Sequence, residues 1–319
     1  MKTRLNPVST FFMSALCSPD DAVAYLKAGK LVALPTETVY GLAADAADGG
    51  AVAAIYETKG RPRFNPLILH VLDVHQAQQY GQIEELAQAL MDAFWPGPLT
   101  LVVPLRHHAP VASLVTAGLE TIALRSPAHP TARQILAAFG QPFVAPSANR
   151  SGRISPTEAT HVLAEFGDQI PVVDDGPCPL GVESTIVGLL EDKVSLLRPG
   201  SVTPEDIEGV IDRPLLPPTE KIQAPGMMTS HYAPSNPLRL NAAAPEGEER
   251  LLGFGKMTSP PALNLSEGAD LKEAAANLFT YLRRLDESPG PIAVAPIPDE
   301  GLGIAINDRL RRAAAPKPS

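Results

Sequence analysis

The segment "STIVGLLEDKVSLLR", residues 184–198, contains two short aliphatic and β-branched runs separated by the polar turn "LEDK". Two strand-like runs this close together predict an antiparallel β-hairpin. Five further strands are predicted upstream: "LVALP" (31–35), "LILHV" (67–71), "LTLVVP" (99–104), "TIALR" (121–125) and "FVAPS" (143–147). Helices are predicted between them, near residues 50–58, 83–94 and 131–139. Strands and helices mixed in this way predict an α/β domain.

Three helix starts share one local pattern: a hydroxyl side chain, a proline and, at the fourth residue, an acid. The pattern occurs as "SPDD" (18–21), "SPTE" (155–158) and "TPED" (203–206). The hydroxyl and the acid form a capping box, and proline suits the first helical position. Each stretch therefore predicts a helix beginning at its proline.

A second unit is predicted beyond the proline-rich stretch "PLLPP" (214–218), which is typical of a linker. It reads as strand, helix, strand, helix, and its first helix has apolar residues at 271, 274, 275, 278, 282 and 285. This order predicts a small Rossmann-like domain with a parallel sheet. The segment "GLGIAI" lacks the third glycine of a dinucleotide fingerprint. We predict a first domain over 15–212, a linker over 213–238 and a second domain over 239–319.

Composition restricts the class of protein. The formal net charge of -9 argues against coating nucleic acid or an anionic membrane, since both require a basic face. Cys17 and Cys178 lie far apart, which disfavours a disulfide framework and a structural zinc site. No run of about 18 apolar residues occurs, and Asn6 and Pro7 interrupt the only signal-peptide-like stretch. These features predict a cytoplasmic protein without a membrane span.

One basic segment stands out against this acidic background. "KGRPRFNPLILH" (59–70) places cations at every second residue, and its two prolines favour an extended backbone. Alternate residues of an extended segment share a side, so Lys59, Arg61 and Arg63 would line one edge at roughly 6–7 Å intervals. Such spacing suits a polyphosphate. Spacing alone favours a solvated basic loop equally.

Two polar stretches favour the phosphate interpretation. "PTETVYGLAADA" (35–46) and "PSANRSGRISPTE" (146–158) each follow a predicted buried strand. Either one alone is explained by ordinary turn chemistry. Together with the basic segment they place three polar clusters at strand ends of one α/β domain, where ligands commonly bind. The sequence has no GxxxxGK[ST], GxSxG or HExxH motif, so the predicted nucleotide site is not a P-loop and no side-chain nucleophile is indicated.

The succession "LPTETVYGLAADA", "KGRPRFNPLILHV", "FWPGPLTLVV", "IALRSP", "APSANRSG", "GVESTIV" and "LLRPGSV" strongly resembles the YrdC-like family. "APGMMTSHYAP" followed by a small α/β unit resembles its two-domain members, the L-threonylcarbamoyladenylate synthases. The resemblance implies a twisted, mixed sheet with a concave face and a Rossmann-like second domain. It also implies a nucleotidyltransferase that joins L-threonine, bicarbonate or CO2, and ATP into threonylcarbamoyl-AMP and pyrophosphate. That product would pass to the transferase machinery that makes t6A in tRNA.

The resemblance also implies site residues. The family's signature falls on Lys59, Arg61, Ser147 and Asn149, which we expect to be catalytic. Contacts to ATP are expected from these four and from Asn65, Thr121, Ser155, Arg198, His231 and Tyr232. Contacts to threonine are expected from Thr38, His70, Arg125, Ala145 and Ser184, with Arg125 holding the carboxylate as a bidentate fork. Mg²⁺ would be bound by phosphate oxygens and water rather than by protein side chains, and the linker, with Gly226 as hinge, would act as a lid.

Two alternatives remain open at this stage. A concave basic face could bind double-stranded RNA without catalysis, although the net charge opposes this. A YrdC-like domain could instead form carbamoyladenylate from carbamoyl phosphate, although such domains usually sit inside larger chains.

Overall fold

The computed structural model describes residues 15–190, 193–217 and 230–316. Residues 1–14 at the N-terminus, residues 191–192 of the hairpin turn, and residues 218–229 of the expected lid, which include Gly226, lie outside the described residues. The first unit consists of α1 (Pro19–Lys27), β1 (Val32–Leu34), β2 (Gly41–Asp45), α2 (Gly49–Lys59), β3 (Ile68–His70), α3 (Val74–Ala77), α4 (Glu85–Phe94), β4 (Leu99–Pro104), α5 (Ser113–Thr116), β5 (Thr121–Arg125), α6 (Pro130–Phe139), β6 (Phe143–Val144), α7 (Ala159–Phe166), β7 (Thr185–Leu190), β8 (Lys193–Arg198) and α8 (Pro204–Ile211). The second unit consists of β9 (Leu238–Arg239), β10 (Arg250–Gly253), β11 (Leu263–Asn264), α9 (Leu271–Asp286), β12 (Ile292–Val294) and α10 (Leu302–Ala314).

The strands of the first unit form one eight-stranded sheet in the order β1-β2-β6-β3-β5-β4-β7-β8. Neighbouring strands are antiparallel except for β3 with β5 and β4 with β7, which are parallel. The predicted mixed sheet is therefore confirmed. The β7–β8 hairpin is also confirmed as antiparallel, with a register shift between Ile186 and Val187.

Strand β2 was not predicted, because the sequence analysis treated 35–46 as a polar stretch after a strand. Its alanines and glycine have low β propensity, so only tertiary pairing with β1 and β6 makes it a strand. A Cβ atom on Gly41 would lie 3.0 Å from the Cβ of Ala145, so a larger residue there would require Ala145 to shift by a few tenths of an ångström.

Two of the three predicted capping boxes are present, at Ser18 and Thr203. The third is wrong, since α7 begins at Ala159 after an N-cap, Glu158, that makes no side-chain cap. The Ser155 hydroxyl instead donates to Oε1 of Glu183 at 2.5 Å. A buried carboxylate from a distant segment therefore replaces the local helix end as the partner of this serine.

The two faces of the large sheet are used differently. Helices α2, α4, α7 and α8 contribute to the main core, together with strand residues such as Leu69, Leu101 and Leu124. The opposite face carries a small apolar cluster formed by Ile68, Val102, Ala123, Ile186 and Leu197. Side chains two residues apart on a strand share a face, so His70 and Arg125 lie on the same side as this cluster. That side is where the site is found.

The second unit has a parallel four-stranded sheet in the order β11-β10-β12-β9, as the predicted Rossmann-like domain requires. Its longest helix buries the predicted stripe, including Ala274, Leu278 and Leu282. The two-residue strands β9 and β11 were not predicted, because so short a segment carries no periodicity.

The two units share one apolar core. Val39, Val182 and Tyr232 pack into the same cluster as Leu278 and Phe279 of α9. Gly181 adopts φ +69°, and a Cβ atom there would lie 2.3 Å from the carbonyl oxygen of Ala275. The backbone of the first unit therefore touches α9 directly.

The start of the predicted linker is not free chain. Leu216 exchanges backbone hydrogen bonds with β8, from Leu196 N at 2.9 Å and to Val194 O at 2.9 Å. An edge strand leaves backbone groups unpaired, and this short segment satisfies some of those of β8.

Candidate functional site

A cavity of about 600 Å³, counting the space at its open mouth, lies above the ends of β3 and β5. It is lined by all five predicted threonine contacts: Thr38, His70, Arg125, Ala145 and Ser184. It is also lined by six of the predicted ATP contacts: Lys59, Arg61, Ser147, Arg198, His231 and Tyr232. The structure thus brings residues from distant parts of the sequence to one enclosed place.

The basic segment does not form the predicted extended edge. Lys59 is the last residue of α2, Gly60 ends that helix in the left-handed region, and residues 63–65 turn. Lys59 and Arg61 are buried at the cavity, whereas Arg63 is exposed and does not line it. The helix continues one residue further than predicted, which removes the alternation on which the expectation rested.

Lys59 and Arg61 are held by carbonyl and amide oxygens rather than by carboxylates. The ammonium of Lys59 donates to the backbone oxygens of Ser147 and Asn149, each at 2.5 Å. Arg61 donates through Nη2 to Oδ1 of Asn65 at 2.8 Å and through Nε to the backbone oxygen of the same residue at 3.1 Å. Burial lowers the pKa of Lys59 well below its usual value, and the charge of Arg61 lowers it further. Burial lowers the pKa of Arg61 to about 10.

Arg198 adds a third buried cation. Its Nε and Nη2 atoms donate to the backbone oxygen of Ser184 at 3.1 and 2.9 Å. Burial lowers its pKa, and nearby arginines lower it further while Tyr232 and Glu183 oppose the shift. Three desolvated cations facing one cavity favour an anion there, because a negative charge would relieve both burial and mutual repulsion.

Arg125 is only partly available as the predicted fork. Its Nη2 atom donates to Oε1 of Glu37 at 2.7 Å in an ion pair whose side chains are 5% and 9% exposed. Burial alone would raise the pKa of Glu37, but the charge and hydrogen bond of Arg125 outweigh it and lower that pKa. The buried Nε atom of Arg125 has no hydrogen-bond partner within the described part of the chain. A donor is therefore left for a ligand, although the guanidinium is already shared.

His70 is set up as a hydrogen-bond acceptor. Its Nδ1 atom lies 3.2 Å from the backbone oxygen of Ile68, and a carbonyl can only accept, so this nitrogen carries the proton. Burial lowers the pKa of His70 to about 3, with a contribution from Arg125. The neutral ring then presents the lone pair of Nε2, which suits a ligand ammonium or hydroxyl group.

The hydroxyl groups nearby are already linked to one another. The Thr38 hydroxyl lies 2.8 Å from that of Thr36. Ser184 Oγ lies 2.7 Å from the Thr100 hydroxyl and accepts from Arg198 at 3.0 Å. Ser184 Oγ therefore makes two hydrogen bonds within the protein, and a hydroxyl can make a third.

His231 and Tyr232 close one side of the cavity. Their rings make an edge contact with centroids 4.1 Å apart, and Tyr232 stacks on Phe279 at 5.6 Å. The Nδ1 atom of His231 and the hydroxyl of Tyr232 are buried without partners within the described ranges. Tyr232 adopts φ +62°, which is uncommon for an aromatic residue and frequent at functional sites.

Four predicted ATP contacts do not line the cavity. Asn65, Asn149 and Ser155 lie behind it, where they support Arg61, Lys59 and Glu183 respectively. Thr121 lies at the other end of β5 from Arg125, on the same face, because the two are four residues apart. That places it about 13 Å along the strand, within reach of an extended ligand only. The contacts expected of these residues remain predictions.

Glu183 is a site residue that was not predicted from the sequence. It lines the cavity, accepts from Ser155, and accepts from Nε of Arg309 at 2.9 Å. Burial by itself raises the pKa of Glu183, but the charges of Arg309 and Arg198 outweigh it and lower that pKa. Its position beside Ser184 was the available signal, whereas its partner on α10 could not be inferred from sequence.

Within the described residues, no group of three His, Cys, Asp or Glu side chains lies close enough together to hold a metal ion. The carboxylate that lines the cavity, Glu183, is already bonded to Ser155 and Arg309. In the same described ranges, no helix is both long and apolar enough to span a membrane.

Fold and cavity together define a two-unit α/β protein with a cation-lined site for an anionic ligand beside a neutral, polar pocket. Residues 24–200 match the Sua5/YciO/YrdC family model, described as "Telomere recombination". Residues 202–315 match the model described as "Threonylcarbamoyl-AMP synthase, C-terminal domain". The chain therefore belongs to the two-domain threonylcarbamoyl-AMP synthase family, as the sequence resemblance indicated.

Individual relatives agree over most of their length. The threonylcarbamoyl-AMP synthase of Bacillus subtilis is 42% identical over 318 residues, covering 92% of each chain. That of Schizosaccharomyces pombe is 35% identical, covering 89% of this chain and 85% of its own. A crystal structure of Pyrococcus abyssi Sua5 complexed with L-threonine superposes with a TM-score of 0.85 at 37% identity, covering 93% of this chain and 94% of that one. This near-complete match confirms the predicted fold class.

Proposed function

We propose that this protein is an L-threonylcarbamoyladenylate synthase that forms threonylcarbamoyl-AMP and pyrophosphate from L-threonine, bicarbonate or CO2, and ATP. The observation that carries the proposal is the composition of the cavity. Three buried cations whose hydrogen bonds within the described residues go to carbonyl, amide and hydroxyl oxygens, Lys59, Arg61 and Arg198, face the same space as a neutral histidine and a partly unsatisfied arginine. One ligand rich in negative charge and one amino acid fit this division.

Threonine would bind at the ends of β3 and β5. Its carboxylate would accept from the free Nε donor of Arg125, and its amine or hydroxyl would donate to Nε2 of His70. A neutral His70 carries no positive charge that would repel the ammonium group of threonine. It also leaves the amine free to lose its proton. The lone pair of the free amine then forms the N–C bond to CO2 as one C=O π bond opens onto its oxygen, and a proton passes from the nitrogen to solvent, which gives a carbamate.

ATP would bind with its phosphates against Lys59, Arg61 and Arg198. A carbamate oxygen attacks the α-phosphorus, the bond from that phosphorus to the bridging oxygen of the β-phosphate breaks, and pyrophosphate leaves with the electron pair. No side-chain nucleophile is needed, so catalysis rests on positioning and on cations aimed at the developing charge. Mg²⁺ would enter as part of the substrate, bound to phosphate oxygens and water, and would neutralise phosphate charge.

The test is incubation with ATP, bicarbonate and labelled threonine, followed by measurement of pyrophosphate and of a threonylcarbamoyl adduct of AMP. Carbamoyl phosphate replaces threonine and bicarbonate in a parallel reaction. Adduct formation in the first reaction only is expected. Product from carbamoyl phosphate alone, or salt-sensitive binding of double-stranded RNA with no ATP consumption, would reject the proposal.

The division into a catalytic domain (15–212), a linker and lid (213–238) and a second domain (239–319) is likewise a proposal. His231 and Tyr232 support it, because these two residues near the end of the linker line the cavity. Limited proteolysis tests it: ATP with threonine should slow cleavage after Lys221. Unchanged cleavage there would mean that the segment does not close over the ligands.

Cytoplasmic location and transfer of the product to a tRNA-modifying transferase follow from the proposed chemistry. ATP is abundant in the cytoplasm, and a mixed anhydride of this kind is an activated intermediate that a second enzyme must consume. Little direct binding of nucleic acid is expected from a chain of net charge -9.

A further inference from the structure

One arginine of the second unit reaches the cavity wall of the first. Arg309 lies on α10, is fully buried, and is the largest fully buried side chain among the described residues. A guanidinium in such a place is costly unless its donors are satisfied. Its partners therefore indicate why it is there.

Two partners of Arg309 flank the site, and a third is the carboxylate of Asp308, its neighbour on α10, at 2.8 Å. Its Nε atom donates to Oε2 of Glu183 at 2.9 Å, and its Nη1 atom donates to the backbone oxygen of Pro199 at 2.8 Å. Glu183 directly precedes Ser184, and Pro199 directly follows Arg198. One side chain thus ties together the segment that enters β7 and the segment that leaves β8.

These contacts of Arg309 affect the position of Arg198, one of the three buried cations that line the cavity. Arg198 is oriented by two hydrogen bonds to the backbone oxygen of Ser184. Arg309 holds the residue before that oxygen and the residue after Arg198, so both ends of the Arg198–Ser184 contact are fixed by α10. The guanidinium carbon of Arg309 also lies 5.2 Å from the ring centroid of Tyr232, within cation–π range.

We propose that Arg309 is a positioning residue for the nucleotide end of the site, through which the second unit holds Arg198, Glu183 and Tyr232 in their binding arrangement. This inference rests on the proposed function. It assigns the second unit a part in building the ATP site, beyond anchoring the linker. His70 and Arg125, at the threonine end on β3 and β5, are not among the partners of Arg309 in the described part of the chain, and Ser184 is linked to Arg309 only through Glu183 and Arg198.

A merely structural ion pair between the two units would behave differently. Its loss would lower stability and affect both ligands equally, because the whole interface would loosen. A positioning role predicts a selective effect on ATP. The two ligands can be measured separately, since neither is turned over alone.

The experiment compares Arg309→Lys with the control Arg311→Lys, by calorimetric titration of each full-length protein with ATP alone and with L-threonine alone. Lysine keeps the charge beside Glu183 but cannot bridge to Pro199. Arg311 lies on the same helix with its side chain 59% exposed, so its replacement should change neither affinity. We expect Arg309→Lys to weaken ATP binding about tenfold, the effect of losing one charge-assisted hydrogen bond, and threonine binding by less than about threefold.

A second variant keeps the test decisive if lysine is not tolerated. Arg309→Met combined with Glu183→Gln removes both charges of the Arg309–Glu183 pair, while Asp308, the other acidic partner of Arg309, keeps its ion pair with Arg312. It should melt cooperatively, bind threonine and lose ATP affinity. Equal losses for both ligands, or wild-type ATP affinity in either variant, would overturn the proposal. Failure of the wild-type protein to bind ATP would instead overturn the proposed function.

Discussion

Replacing Glu37 by Gln tests the most deeply buried ion pair at the threonine end of the cavity. The Arg125–Glu37 pair is joined at 2.7 Å, and neither side chain is more than 9% exposed. Removing one charge of such a pair costs about 3–5 kcal/mol, because the other is left buried and uncompensated. The Gln amide oxygen can still accept from Arg125, which places the expected loss at the lower end of this range. For a unit of this size the melting temperature should then fall by roughly 6–12 °C.

The informative measurement is thermal unfolding with and without L-threonine. If the threonine carboxylate binds Arg125, it supplies the charge that Glu37→Gln removed, so the ligand should stabilise the variant more than the wild type. A tenfold gain in threonine affinity would add about 1.4 kcal/mol at saturation. Glu120→Gln is the control, because Glu120 is exposed and directly precedes β5, the strand that carries Arg125. This variant should melt like the wild type. Equal stabilisation of variant and wild type by threonine would refute the assignment of Arg125 to the carboxylate.

Three further outcomes are expected. Lys59→Met and Arg61→Met should each abolish formation of the adduct, as measured by pyrophosphate release. Because both residues are buried, the melting curve of each variant must be recorded as a control for folding. Full activity in either variant would contradict the assignment of these residues to the phosphates. L-Valine should be rejected far more strongly than L-serine in competition assays, since polar groups at Thr38 and His70 would be left unpaired, whereas one missing methyl is worth about 1–3 kcal/mol. The pKa of His70 is lowered from its usual 6.5 to about 3, so below pH 6.5 the unfolded chain takes up a proton that the folded chain does not. The free energy of unfolding, measured with urea, should therefore fall as the pH is lowered from 6.5 towards 3. The fall should be less steep in His70→Gln.

Much of the fold could be predicted because its elements carry strong local signals. The hairpin over 184–198, the strand at 121–125 and the stripe of α9 are all found where periodicity places them. Strand β2 could not be found in this way, because its alanines fit many structures and only its neighbours select a strand. The helix cap predicted at Ser155 is absent for a similar reason, since its hydroxyl donates a hydrogen bond to the carboxylate of Glu183, 28 residues away.

For the site as well, local sequence motifs predicted the residues, whereas their tertiary partners could not be predicted. The family motifs identified which residues meet at the cavity, and eleven of them line it. Their partners could not be predicted, because Glu37 with Arg125, and Glu183 with Arg309, join segments that only the folded chain brings together. The predicted row of three exposed cations was wrong for a related reason: burial at the end of α2, not alternation, determines what Lys59 and Arg61 face.

The apolar core shared by the two units has a consequence for synthesis of the chain. When the ribosome has made the residues up to α8, the walls formed by Val39 and Val182 still lack α9, which covers them in the finished protein. At ordinary elongation rates the remaining hundred or so residues take about 5–20 s to appear. During that interval the nascent protein has its complete eight-stranded sheet, but an apolar surface beside the incomplete cavity is still exposed to solvent. Chaperone engagement should therefore peak in this window, and premature termination within it should yield aggregates rather than a working half-enzyme.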